Sequence, residues 1–122
     1  MEYQKILAVF SKITGTKTSE VQLTAKQIDS DYVVSQIDDV NHRIPKQVCV
    51  EVSGSFTEFS INGRMTEGGA YTVISVVNMN TLEAQNYITE AGVYILPCEC
   101  YQALQFTISG ATNATVSAKF TF

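Results

Sequence analysis

The sequence has no tryptophan, one histidine and two prolines in 122 residues, and only 16% of its residues are charged. Each shortage excludes something. Eight basic and twelve acidic residues, a net charge of -4, exclude a polybasic nucleic-acid binder, whose affinity needs clustered Lys and Arg. The single histidine, His42, forms no pair with Cys or Ser in a recognisable motif such as Gly-x-Ser-x-Gly, so nucleophilic catalysis has little to build on. The absence of Trp weakens any sugar-stacking site. No stretch approaches the ~20 apolar residues that cross a bilayer. Residues 100–118 are uncharged, but Gln102, Gln105, Ser109, Thr112 and Asn113 interrupt them. Met1 to Ile13 lacks a compact apolar core followed by a small-residue cleavage site, which argues against a secretory signal.

Cysteine is scarce and odd in number, with three residues. Cys98 and Cys100 lie two apart. In a strand they share a face and cannot easily bridge. A Cys-x-Cys pair with distant Cys49 and His42 makes a poor zinc set. The cysteines read as reduced, packed small hydrophobes.

What the chain does have is 45% hydrophobic residues, rich in Val, Ile, Tyr and Phe, with polarity from Ser, Thr, Asn and Gln. This composition favours β structure over disorder. Its distribution is uneven. Up to Pro45 the chain carries five basic and six acidic residues; after it, three and six. The reading is an N-terminal anchoring and oligomerisation segment over 1–45 and a β-sandwich domain over 46–122.

In residues 2–14, Tyr3, Ile6, Leu7, Phe10 and Ile13 are spaced by threes and fours. That spacing predicts one helical face, with a strand as the alternative. Gly15 stands where a helix would end. The stripe either packs on its own domain or docks on a larger assembly. Residues 20–28 alternate over Val21, Leu23 and Ala25 as a short strand. Val33, Ile37, Val40 and Ile44, spaced 4, 3 and 4, have a coiled-coil rhythm that Pro45 stops. So short a helix must pack, either within the chain or on other copies. β-branched residues at both core positions favour trimers or higher over dimers.

After Lys46 the signals are those of strands. Val48, Val50 and Val52 alternate, and Phe59 and Ile61 lead into Asn62-Gly63, a strong hairpin signal. Tyr71 to Val77, Leu82 to Ile88 and Val93 to Leu96 are further strands. Leu104, Phe106 and Ile108 alternate; Gly110 to Asn113 turn; Val116, Ala118, Phe120 and Phe122 alternate again. Seven or eight short strands of this kind predict a mainly β chain ending in an antiparallel sandwich, jelly-roll or Ig-like, behind a short helical and extended segment.

Chemistry is sparse. Glu51, Glu58, Glu67, Glu83, Glu90 and Glu99 read as solvent-face residues. Asp29, Asp31, Asp38 and Asp39 lack the alternation, glycine and final Glu of an EF-hand loop. Gly68-Gly69 lacks the Lys of a phosphate loop. No catalytic residue, metal site or cofactor is expected. Tyr71, Tyr87 and Tyr101, with Tyr94, are candidates for a ligand surface toward a glycan.

Two stretches carry a family resemblance. Leu23 to Ile28, Asp29 to Tyr32 and Val33 through Ile37-Asp38-Asp39-Val40-Asn41-His42-Arg43-Ile44 resemble segments of fibre and fibre-like proteins of tailed bacteriophages. Gly92-Val93-Tyr94-Ile95-Leu96-Pro97, Leu104 to Ile108 and Ala114 to Ala118 are similar to small β-sandwiches of phage head-decoration, head-fibre and tail proteins. The resemblance covers residues 20–122 and implies a non-enzymatic virion structural protein, usually trimeric, made in the host cytoplasm. Its partners would be its own copies and a major capsid or other virion protein, with no membrane or nucleic acid. The expectation is capsid decoration through the N-terminal region; the alternative is a tail or baseplate adhesin that binds a cell-surface glycan.

Overall fold

The computed structural model describes residues 4–23, 26–28, 31–33 and 45–122. Ten strands follow in order. They are β1 (Gln4–Gln22), β2 (Lys26–Ile28), β3 (Asp31–Val33), β4 (Gln47–Ser55), β5 (Glu58–Arg64), β6 (Thr72–Val73), β7 (Val76–Asn78), β8 (Ala84–Gln85), β9 (Gly92–Pro97) and β10 (Ala103–Thr121). There is no helix among the described residues.

The sheet is organised around β10. β1 pairs antiparallel along its whole length, from Gln4 opposite Thr121 to Gln22 opposite Ala103. On the other side, β4 takes Thr112 to Thr121 and β5 takes Ala103 to Ser109. β4 and β5 therefore run head to tail along one strand. β9, β7 and β8 extend the sheet beyond β4, and β6 extends it beyond β5. β2 and β3 form a separate two-stranded ladder.

Three adjacent strands, β1, β10 and β4, bend at one level. Gly110 and Asn113 of β10 have φ of 61° and 51°, Lys12 and Gly15 of β1 have 48° and 100°, and Gly54 of β4 has 92°. These left-handed residues, with β-bulges, sharpen twist and bend a strand without ending it. The sheet curls into an antiparallel half-barrel around its own core. Leu104, Phe106 and Ile108 face inward, the kink shifts the parity to Ala111, and Ala114, Val116, Ala118 and Phe120 resume it. Val48, Val50, Phe59, Ile61 and Leu96 complete a core with 0% exposure. Phe59 and Phe106 stack with centroids 6.2 Å apart.

This architecture corrects four expectations. The predicted helix over 2–14 is the first part of β1 from Gln4 onward; Tyr3 lies outside the described residues. Its helix-like spacing has a β explanation. Leu7, Phe10 and Ile13 oppose Ala118, Val116 and Ala114, so β1 advances three residues while β10 advances two. Each register shift inserts one residue, and inward side chains recur every three positions.

The predicted sandwich is a single curled sheet, because Gly110 to Asn113 kink a continuous strand instead of reversing it. The predicted coiled coil is not formed at Val33, which ends β3 opposite Lys26. Ile37, Val40 and Ile44 lie outside the described residues. Asn62-Gly63 is no hairpin turn but sits within β5. Glycine is needed there for a different reason: a Cβ at position 63 would lie 2.5 Å from Tyr101 Cδ1 and 2.7 Å from Ile74 Cδ1.

Candidate functional site

Two surfaces concentrate polar or exposed apolar side chains. The first lies where β1 and β5 end. Glu20, Arg64, Tyr71 and Gln102 converge from four segments. Tyr71 donates its hydroxyl to Glu20 Oε2 at 2.5 Å. Arg64 stands 3.8 Å from Glu20 Oε1, and its guanidinium lies 5.1 Å from the Tyr71 ring centroid. Arg64 Nε donates to Gln102 Oε1 at 2.9 Å. The Gln102 backbone ties the ends together: its N–H donates to the Arg64 carbonyl and its carbonyl accepts from Leu23, both at 2.8 Å. Burial first, and then the Glu20 hydrogen bond and charge, push the Tyr71 hydroxyl up to about 12, against the opposing Arg64 charge. The cluster satisfies most of its own charge and acts as a clamp between strand ends. Gln102 Nε2 is buried with no hydrogen-bond partner among the described residues, a situation that costs on the order of 1–3 kcal/mol.

The second surface is the outward face of the five strands β1, β10, β4, β9 and β7. The register places Ile6, Lys119, Cys49, Ile95 and Val77 in one row across the sheet. Ala8, Ser117, Glu51 and Val93 form the next row. Ile6 is 72% exposed. A shallow depression of about 380 Å³ lies here, lined by Ile6, Cys49, Glu51, Val93, Ser117, Ala118 and Lys119. Six apolar side chains on the solvent side of an antiparallel sheet depart from the usual polar-out pattern.

The residues anticipated from sequence are dispersed by this fold. Phe10 is buried, and Leu7 and Ile13 pack half-buried against the core, so only Ile6 of the described N-terminal stripe faces outward. Tyr71 and Tyr101 come to the clamp end, Tyr71 held by Glu20 and Tyr101 lying against Gly63. Tyr87 stands elsewhere, half exposed on the loop between β8 and β9, and Tyr94 is buried with its hydroxyl donated to the Glu90 carbonyl. The four tyrosines share no platform. Glu51, read from the sequence as a solvent-face residue, is exposed here, and Lys119, Val93 and Ile95 join it on this face. Their signal was present: Cys49, Val93 and Ile95 put apolar residues on both faces of their strands.

The cysteines form no disulfide. Cys98 is fully buried, donates its thiol to the Pro45 carbonyl at 3.4 Å, and is pushed up to about 12, first by burial and then by nearby Cys100 and Glu99. Two outcomes are expected. A thiol reagent at mildly alkaline pH modifies exposed Cys100 at once and Cys98 only on unfolding. The folded Cys98 binds its proton more tightly than the unfolded thiol, whose pKa is ~8.5. Its contribution to stability is therefore complete below that value and is lost as pH rises toward about 12. Denaturant midpoints measured across this window fall for the natural chain and fall less for Cys98→Ala.

The fold defines a small antiparallel half-barrel module with an interior filled by side chains. Solved structures of similar fold include the SPBc2 prophage-derived protein YomS, 16% identical with a TM-score of 0.72, covering 98% of this chain and 93% of that one. The PBSX exported protein XepA is 12% identical with a TM-score of 0.71, covering 98% of this chain and 39% of that one. This chain thus spans about two fifths of XepA. No family model and no curated protein sequence matches it.

Proposed function

We propose that this chain is a phage-encoded virion structural protein of the capsid-decoration or head-fibre type, without enzymatic activity, made in the host cytoplasm and retained on the particle. The observation that carries this reading is a fold shared end to end with a prophage-derived protein of similar length. Its interior is filled by side chains of both ends of the described chain, and the depression on its outward strands is shallow. A compact module of this kind works through surfaces.

The N-terminal region remains the attachment element in this reading, but by a different device. β1 has one neighbour, β10, among the described strands. Its other edge presents backbone donors and acceptors that a strand of a capsid protein can pair. The bulges between Ala8 and Lys17 disrupt that edge, which leaves the regular Ile6–Ala8 stretch as the pairing segment. The glycan-adhesin alternative loses support, because Tyr71 and Tyr101 are engaged within the chain.

The test is fractionation of particles from an induced culture expressing a C-terminally tagged chain. Tagged protein should band with intact particles in a density gradient. Recovery solely in the unassembled fraction would overturn the proposal.

A further inference from the structure

We infer that the outward face of β1, β10, β4, β9 and β7 is a self-complementary contact that receives the same face of a second copy of this chain. This inference stands apart from the virion reading. Three observations carry it.

The face is apolar where an antiparallel sheet is normally solvated. Ile6, Ala8, Cys49, Val93, Ile95 and Val77 lie on it, all of them exposed or only partly covered. Its two charges are of opposite sign and neighbouring: Lys119 opposes Cys49, and Glu51 opposes Ser117, so the pair stands diagonally on adjacent strands. Both are exposed, and neither has an ionic partner among the described residues.

Symmetry supplies the occupant. In a two-fold contact the same patch serves both partners, so each residue at i meets j and j meets i. A two-fold axis lying between the stacked faces, midway between Lys119 and Glu51 and perpendicular to the line joining them, sets Lys119 of each copy over Glu51 of the other. Two ion pairs then form beside the axis, with the apolar positions of β1 on one side and of β9 and β7 on the other. Sheets stack face to face at ~10 Å, a spacing that side chains of this size fill. A partner with a uniformly charged surface would satisfy one of these residues and repel the other.

The patch is small. Five strands ~4.8 Å apart, with two or three outward positions each, outline roughly 400 Å², half of the ~800 Å² per partner of a standard interface. The dimer is therefore weak and concentration-dependent in solution.

Sedimentation velocity on the full chain tests this across ~1 μM to ~1 mM, the range where a small interface associates. The natural chain should shift from monomer toward dimer as concentration rises. Glu51→Lys and Lys119→Glu should each weaken association at least ~10-fold, because like charges then face each other twice. The double reversal should restore it. Both positions are exposed, and circular dichroism checks that each variant keeps its fold. A natural chain that stays monomeric throughout, or a dimer indifferent to both reversals, overturns the inference. So does a dimer lost through Ile37→Asp but not through Glu51→Lys.

Discussion

Replacing Phe106 by alanine is expected to lower the unfolding free energy by about 3–5 kcal/mol, the cost of deleting a buried aromatic ring. Phe106 is 0% exposed and sits on β10 where both neighbouring strands are paired, opposite Ser19 of β1 and Ile61 of β5. Its ring also stacks on Phe59 across 6.2 Å. The cavity cannot collapse, because paired strands hold its walls on two sides. Domains of this size hold about 5–15 kcal/mol in total, so the variant stands close to unfolding at 37 °C. Urea denaturation gives the measure, with a lower midpoint and an unchanged slope. Thr107→Ala, one residue along and on the opposite face, removes only an exposed side-chain hydrogen bond to Thr18 and should cost under ~1 kcal/mol. Equal losses for the two variants would refute the assignment of faces in β10.

Gly54→Val is the second large effect, and it tests the bend rather than the core. Gly54 has φ of +92°, which L side chains rarely adopt. A Cβ there would run into the Asn113 carbonyl oxygen and lie 2.7 Å from the Ala114 Cα. Both are backbone atoms of β10 at its kink and cannot step aside without moving the ladder. The expected loss is above ~2 kcal/mol, combining left-handed strain with overpacking. Gly68→Ala separates the two contributions. Its φ is +80° but nothing lies within 4 Å of the added carbon, so only the conformational cost remains, ~1 kcal/mol. Similar losses at 54 and 68 would show that the strands do not meet at Gly54 as described.

The positions of these two residues show how much was legible. Phe106 is readable as core from alternation alone, because Leu104, Phe106 and Ile108 repeat with the period of a pleated strand. Gly110 to Asn113 are read as a turn for a sound local reason: Gly and Asn adopt left-handed conformations cheaply. Those residues do adopt them, at 61° and 51°, yet the chain goes on in the same direction. A reversal and a kink draw on the same residue types, and only the partner strands decide between them. The N-terminal stripe is the mirror case. Steps of three imply a helix in an isolated segment, but on β1 they record bulges against β10, a partner about a hundred residues away. Asn62-Gly63 is a third instance, a hairpin signal that β5 absorbs because Tyr101 and Ile74 leave no room for a larger residue.

The same division governs the surfaces. The low charge and the apolar residues at Cys49, Val93 and Ile95 are written in the chain. Their assembly into one face with Ile6 and Lys119 is not, since it takes strands from both ends and the middle to lie side by side. Glu20, Arg64, Tyr71 and Gln102 likewise look like four scattered polar residues until β1, β5 and β10 bring their ends together.

The sequence alone determined that this chain is β-rich, weakly charged and apolar at alternate positions, because those properties follow from side-chain chemistry and a two-residue period. The tertiary structure decided which breaks are turns and which are bends, which stripe faces inward, and which charges meet. Those outcomes depend on register between strands far apart in the chain, and register is set by the shared core rather than by any local run of residues.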